Sequence, residues 1–584
     1  MRSFLSSLPF LLVLACNTKS TDDGTPGGVD PRADLVDCPN GPDCAATDDT
    51  TLRVGVAVKS IIPACYESWV DADGNHIYRV GTDTFLDCGC DRLCPGDEGY
   101  TAADEGEGDG VFHPVWIAGY DSARAAMGMR GADQGLVGEF EGLDARAVVI
   151  DQGNTRVAIV TLDGMGWMND DVERMREAVN ARGLDVDHVL VSSSHSHDSP
   201  DSMGQYGRVL TETGYDPDYA VQVHIAVADA VEEAIAGLKD VTMKYGEVNA
   251  NEYFENGVSN IVSDTRDPQI VDPRIGVVQF VSGTDTVATL IHFANHPESM
   301  GDETNVMSAG FLVGARHTVE SGSKWLDGTG QPGVGGVALY INGSVGGMMT
   351  SLHATVIDPT GVSRRDNNYK KEDSVGQIIG ELALDAIASA KTVEAPKLRV
   401  LARRIFLPVD NIGFQAMFSL GVFGHRPAYS HATGEALPPN TSLGDANLAD
   451  VRTEIDLLEL GPVRMITAPG EMLPEGVIGG YQNEWTPPGG MLIDPTNPNP
   501  PDVTTAPAGP YFLETLGGDM NWLIGLGNDE VGYMVPPYNF ELGGAAYLSE
   551  AEGHHYEETN SLGPQTLPIW LTKAGELVDY AEGK

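Results

Sequence analysis

"HVLVSSSHSHDSPDS", residues 188–202, is the stretch from which the fold is read. A short apolar run rich in valine meets three serines, and then His195 and His197 stand one residue apart. The apolar part has the length and β-branched content of a buried strand, which places the serines and histidines at its carboxyl end. Open α/β sheets collect their ligands outside the carboxyl ends of strands, so this phrase raises a fold and a site together. On its own it admits a metal site, a nucleophile with its base, or a polar loop.

The surrounding sequence repeats the strand signal. "TLRVGVAV" (51–58), "ARAVVID" (145–151) and "RVAIVTLDG" (156–164) have the same Val- and Ile-rich character. "NDDVERMREAVNARG" (169–183) reads as a helix, with an acidic first turn, Val172, Met175 and Val179 at helical spacing, and a closing Gly183. A second helix over 218–238 puts Val223, Val227, Val231, Ala234 and Leu238 on one face. Further strands are expected at "RIGVVQFV", "TVATLIHFA", "GVALYING", "VRMITAP" and "NWLIGLG", with a long helix at "SVGQIIGELALDAIASAKTV". The pattern predicts an α/β fold: a mixed, partly parallel sheet core with flanking helices, its parallel pairs in the first half. There is no internal repeat and no Gly-rich loop of the dinucleotide or Walker type.

Composition narrows the partners. The 584 residues hold 85 acids against 35 bases, a formal charge of −50, which repels nucleic acid and anionic lipid. The chain opens on "MRSFLSSLPFLLVLAC", one arginine and an apolar run too short to span a bilayer, which reads as an export signal over 1–16. Its end, Val13-Leu14-Ala15-Cys16, resembles a bacterial lipobox, which implies a lipid anchor on Cys16 and a place at the membrane or outside the cell. Residues 17–50 are polar and read as a flexible tether to a folded body over 51–584.

Beyond Cys16, six cysteines remain: Cys38, Cys44, Cys65, Cys88, Cys90 and Cys94. An even number in an exported chain favours disulfides, whose pairing the sequence leaves open. Four of them fall in a Cys- and acid-rich insert at about 65–112. Its acids over 85–110 are spaced by glycines, a pattern that can wrap Ca²⁺, or equally form a disulfide-pinned acidic loop without metal.

Four strand ends carry chemistry. His195 and His197 follow "HVLVS", His296 follows "TLIHFAN", Glu471 follows "VRMITAPG", and Tyr533 follows "NWLIGLGNDEVG". Two imidazoles, a carboxylate and a further oxygen suit Zn²⁺. Each residue also has a plainer reading. A lone strand-end histidine is usually a hydrogen-bonded structural group, as His292 and His224 are expected to be. Glu471 can cap a turn, and a tyrosine is commonly half-buried. The His-x-His pair is the strongest element, because alternate side chains of an extended strand face the same way.

The ordered phrases "SSSHSHDSP", "FANHPESMG", "APGEMLPEG", "GLGNDEVGYM" and "YEETNSLGPQT" resemble the catalytic domain of the neutral ceramidases. That family has phrases of the type THTHSGP, FAVHPTSM, VPGE and a Gly-Leu-x-Asn run leading to a tyrosine. The resemblance runs, with gaps, over about 51–572. It implies that His195, His296, Glu471 and Tyr533 hold zinc, that His197 faces the substrate, and that Tyr556 lies in the substrate pocket. It implies cleavage of the amide of ceramide or a related N-acyl lipid, with Glu471 also able to accept a proton from water. Asp163 or Asp198 could orient an imidazole.

Departures accompany the resemblance. Where the family carries a serine proposed to act in catalysis, "INGSVGG" offers Gly346, with Ser344 two residues earlier. Arg266 and Arg274 match the family's substrate-contacting arginine poorly, and its C-terminal immunoglobulin-like domain has no counterpart here. The apolar segment 411–429 could line a lipid-binding mouth or pack in the core. The alternatives are a hydrolase of the same fold for another amide or ester, or a non-catalytic calcium-binding surface lipoprotein.

Overall fold

The computed structural model describes residues 36–37, 49–136, 142–347 and 349–584. The export signal, Cys16, Cys38, Cys44 and most of the tether lie outside the described residues. Three large sheets form the body. The first joins β1 (Arg53–Ser60), β2 (Asp144–Gln152), β3 (Thr155–Leu162) and β4 (His188–Ser193), with Lys239–Asp240 on its outer edge. The second joins β5 (Thr242–Asn249), β6 (Arg274–Ser282), β7 (Asp285–Phe293) and β8 (Val337–Asn342), edged by Lys391–Thr392. The third joins β9 (Leu398–Pro408), β10 (Ala449–Leu460), β11 (Val463–Thr467) and β12 (Met520–Ile524).

The fold is mixed α/β, as the sequence pattern predicts, but the parallel pairing is distributed differently. Each sheet holds one parallel pair: β3 with β4, β7 with β8, and β11 with β12. Connection length explains this. β2 and β3 are joined by Gly153-Asn154, and β6 and β7 by Gly283-Thr284, and turns of two residues allow only antiparallel neighbours. β3 returns to β4 through helix α1 (Asn169–Ala181), and β7 returns to β8 through a segment holding helix α3 (Leu312–Ser321), long enough for a parallel crossover.

Inner faces of the three sheets share one core. Val148, Ile150 and Leu190 come from the first, Val278, Phe280 and Leu290 from the second, and Val400, Leu458 and Trp522 from the third. The alternate residues face helices. Ala147, Val149 and Val160 pack with α1 and with α2 (Pro217–Ala236) through Val172, Met175, Val223 and Val227. On the second sheet Val277 and Tyr340 pack with α3 and with α4 (Tyr369–Ala388). Strands covered on both faces read as continuous apolar runs, which is why these strands were visible in the sequence. On the third sheet α6 (Thr566–Ala581) lays Trp570, Ala574 and Leu577 against Leu401, Ile405 and Ile466.

The parallel strands place their carboxyl ends together. At the end of β4, the Ser193 amide donates to Leu526 O at 3.2 Å, reaching the segment after β12. Asn342, the last residue of β8, donates through Nδ2 to Ser194 O at 2.9 Å and accepts at its main-chain oxygen from Gly525 N at 2.9 Å. The ends of all three sheets are thus tied at one place. The insert sits apart from this junction, closed by disulfides Cys65–Cys90 and Cys88–Cys94.

Candidate metal centre

β4 stops at Ser193, and the two histidines are not on an extended strand. The His195 amide donates to Gly164 O at 2.8 Å, and the residue adopts φ +68°, the left-handed region that costs a side-chain-bearing residue energy. This kink, rather than strand alternation, sets the two rings 4.9 Å apart and close to perpendicular. His296 lies 4.7 Å from His195 ring to ring, and its amide donates to Met349 O. All three rings are buried.

Main-chain carbonyls decide the tautomers of two of them. A carbonyl only accepts, so His195 donates from Nδ1 to Met165 O at 2.8 Å, and His296 from Nδ1 to Met349 O at 2.8 Å. Both Nε2 atoms then turn to one carboxylate oxygen. Glu471 Oε2 lies 3.3 Å from that of His195 and 3.0 Å from that of His296. Two lone-pair nitrogens and a carboxylate repel unless a proton or a metal cation lies among them. Burial alone would raise the Glu471 pKa, but His195 and His296 hold it well below the usual carboxylate range. Burial opposes charging His296, and Glu471 more than offsets that and raises it.

His197 completes the trio. Ligand atoms of His195, His197 and His296 all lie within 4.8 Å of one another, the spacing of residues able to hold an ion. Burial, and then the neighbouring His195 and His296, hold its pKa well below the imidazole range, so it is neutral. Neither of its ring nitrogens, nor Nε2 of His195, has a hydrogen-bond partner. Buried, unpartnered ring nitrogens facing a carboxylate fit a metal ion chemically.

Tyr533 arrives by backbone pairing. Glu471–Met472 and Tyr533–Met534 form a short parallel ladder with Glu471 opposite Tyr533. Tyr556 has its ring 6.1 Å from that of Tyr533 and is 37% exposed. His197, Glu471, Tyr533 and Tyr556 all line one cavity with about 640 Å³ of empty space. Met165, Met203, Phe414, Phe418, Phe423 and Leu562 give it an apolar wall. The segment 411–429 packs in the core, as one of its two readings expects, and it also borders the cavity. Its helix α5 (Ile412–Leu420) buries Phe414 and Phe418 in the core and also presents them to the cavity.

Several expectations change. Asp163 forms a two-pronged ion pair with Arg316, at 2.7 and 2.9 Å, and Asp198 accepts from Arg124 at 3.2 Å. The carbonyls of Met165 and Met349 orient the imidazoles instead. Arg266 is buried on Glu557 and Glu558, and Arg274 pairs with Asp272, so both are structural. His292 bonds Leu523 O and stacks on Trp522, and His224 sits 3.3 Å from Asp171, as structural histidines do. At Gly346 a Cβ would come within 2.6 Å of Leu473 N and 2.7 Å of Glu471 O. The missing serine therefore has no room.

The sequence reading missed residues next to His197. Glu298 Oε2 lies 3.3 Å from His197 Nδ1 and accepts from Tyr120 OH at 2.8 Å. Gly119, at φ +110°, backs directly on the ring, for a Cβ there would meet His197 at 2.6 Å. Glu298 stands two residues after His296, so its spacing was a usable signal; Gly119 carried none. In the insert, acids are turned on their own backbone: Asp87 accepts from Gly108 N and Gly110 N, and Asp104 from Asp91 N. The carboxylates of the insert spaced to hold an ion are Asp71, Asp73 and Asp83, ahead of its glycine-spaced acids, and Asp71 and Asp83 likewise accept from turn amides.

No family model and no curated protein matches the sequence. Solved structures do. The neutral ceramidase from Pseudomonas aeruginosa is similar over 91% of this chain and 74% of its own, with TM-score 0.52 and 14% identity. A ceramidase complexed with C2 is similar over 91% and 75%, with TM-score 0.54 and 14% identity. At that identity the likeness establishes the architecture: this chain has the α/β fold seen in those ceramidase structures.

Proposed function

We propose that the protein is a zinc-dependent hydrolase that cleaves the amide bond of ceramide or a related N-acyl lipid. His195, His296, Glu471 and Tyr533 would hold the metal. Bound there, Zn²⁺ would polarise the substrate carbonyl and make water a better nucleophile near neutral pH. The protein's own groups account for the rest. The apolar wall takes an acyl chain and excludes bulk water. Glu471 accepts a proton from the attacking water. His197 hydrogen-bonds the developing oxyanion, and the proton taken up by Glu471 is passed to the departing amine, directly or by way of His197. Tyr556 contacts the substrate at the cavity mouth.

The observation carrying this reading is the aim of two carbonyl-locked imidazoles at one carboxylate oxygen, at the end of an apolar cavity. The ceramidase-like fold supports it, with catalytic phrases in matching order. Gly346 favours a second reading, the same chemistry on a different amide or ester, because the family serine is absent. We further propose that Cys16 carries a lipid anchor that keeps the enzyme at a membrane surface.

The test is zinc content of the purified protein together with fatty-acid release from a fluorescent N-acyl-sphingosine, beside His195→Ala and His296→Ala. Stoichiometric zinc and turnover in the wild type, both lost in the variants, are expected. Protein that stays metal-free after incubation with zinc sinks the site. Zinc without turnover of any N-acyl substrate tried argues for a binding protein.

A further inference from the structure

Glu530 lines the same cavity as Glu471 and is 6% exposed. One oxygen is spoken for: Oε1 accepts from Gly532 N at 2.8 Å. The other, Oε2, is buried with no hydrogen-bond partner. Its neighbour Asp529 is fully used, gripped by Arg426 at 2.7 and 2.6 Å. A buried carboxyl oxygen left without a partner is destabilising, and a site facing a ligand recovers this when the ligand brings the partner.

We propose that Glu530 is a specificity-determining residue that hydrogen-bonds a hydroxyl group beside the scissile amide, so that hydroxylated N-acyl substrates are chosen over plain fatty amides. This rests on the hydrolase reading of the site. Proximity to the reacting end follows from the chain and the cavity, since Glu530 precedes Tyr533 by three residues, accepts from Gly532 N, and lines the same cavity as Glu471 and Tyr533. Oε1 is fixed by Gly532 N, so the buried and unpartnered Oε2 is the atom left to accept from a hydroxyl donor. The wall around it is apolar: Met203 Sδ lies 3.1 Å from the point where a Gly166 Cβ would stand, beside the Glu530 side chain.

Two kinds of probe decide the matter on the full zinc-loaded protein. Turnover compares N-(2-hydroxyethyl)dodecanamide and a 2-hydroxydodecanoyl amide with N-propyldodecanamide. Calorimetric binding compares the matching sulfonamides, which an amide hydrolase leaves intact. The wild type should favour at least one hydroxylated compound by about tenfold or more, in both assays. Glu530→Met should bring that ratio close to one, and Glu530→Gln should keep part of it. Gly166→Ala supplies an independent variant, because its Cβ would meet Glu530 Cγ at 2.5 Å and displace the carboxyl without removing it. A wild-type ratio near one, or a ratio unchanged in both Glu530→Met and Gly166→Ala, overturns the proposal. If no amide is turned over, the hydrolase reading fails, and the sulfonamide ratio still decides the role of Glu530. If Glu530→Met does not fold, Gly166→Ala decides.

Discussion

At the scale of single residues, two glycines hold the site as firmly as its ligands do. Gly346 lies where a Cβ would press on the backbone of Glu471 and Leu473. Gly346→Ser, which restores the family residue, should therefore abolish hydrolysis rather than improve it. We expect a loss of about 1–3 kcal/mol in stability from the overpacking, read by thermal melts beside turnover. A stable, more active Gly346→Ser protein would refute the steric argument. Gly119 backs on His197, so Gly119→Ala should push the imidazole out of place. Because His197 is assigned to the substrate and not to the metal, turnover should fall about 10²-fold with zinc content unchanged. Parallel loss of zinc would make His197 a ligand. The residues proposed to hold the metal were legible as strand-end polar groups. The glycines were not, since their importance lies in the side chain they lack.

At the scale of elements, α5 links the apolar wall to the segment bearing Tyr556. Asn411 caps it, accepting from Gly413 N and Phe414 N, while its Nδ2 donates to Thr559 O and Ser561 O. Asn411→Ala should cost about 1–2 kcal/mol and raise KM for a long-chain substrate more than it lowers kcat. Steady-state kinetics over acyl-chain length would check this, and an unchanged KM would count against α5 as part of the substrate wall. The sequence showed α1, α2 and most buried strands of the first two sheets within two residues, because both periodicity and apolar content are strong there. It did not show β5, β9 or β10. "TMKYGEVN", "LRVLARRIFLP" and "ADVRTEIDLLEL" carry charges between their apolar residues, and in the last two those charges find partners only in the fold: Arg403 with Glu576, and Glu454 with Arg176. A pattern of hydrophobicity cannot reveal a strand whose charges are matched only after folding. The convergence of His296 and Glu471 on His195 was likewise visible only as an ordering of motifs, since 175 residues separate that pair in sequence.

At the scale of the whole molecule, a buried polar seam joins the first sheet to the third. His188 opens β4 and sits 2.6 Å from Asp456 of β10, which also accepts from Asn528 Nδ2 at 2.6 Å. Arg176 of α1 reaches Glu454 on the same strand, and also approaches His188 at 3.3 Å. The seam lies at the start of β4, the strand that leads into His195, so its integrity bears on the site. Burial pushes the His188 pKa down, but Asp456 outweighs it and raises the group above its usual range. Burial pushes Asp456 up, and His188 with Arg176 nearby holds it below the usual carboxylate range. A raised histidine stabilises the fold fully below its unfolded pKa of about 6.5, and that contribution fades as pH climbs through the folded value. The lowered aspartate stabilises above about pH 4 and fails only as pH drops through its folded value. Both terms are therefore present together between about pH 4 and 6.5. His188→Gln keeps a polar side chain but cannot gain the charge. The gap in Tm between wild type and His188→Gln should be wider at pH 6 than at pH 9, in buffer of fixed ionic strength because 85 acids against 35 bases make the surface salt-sensitive. An equal gap at both pH values would mean that His188 supports the seam by packing alone and that its pairing with Asp456 carries no charge.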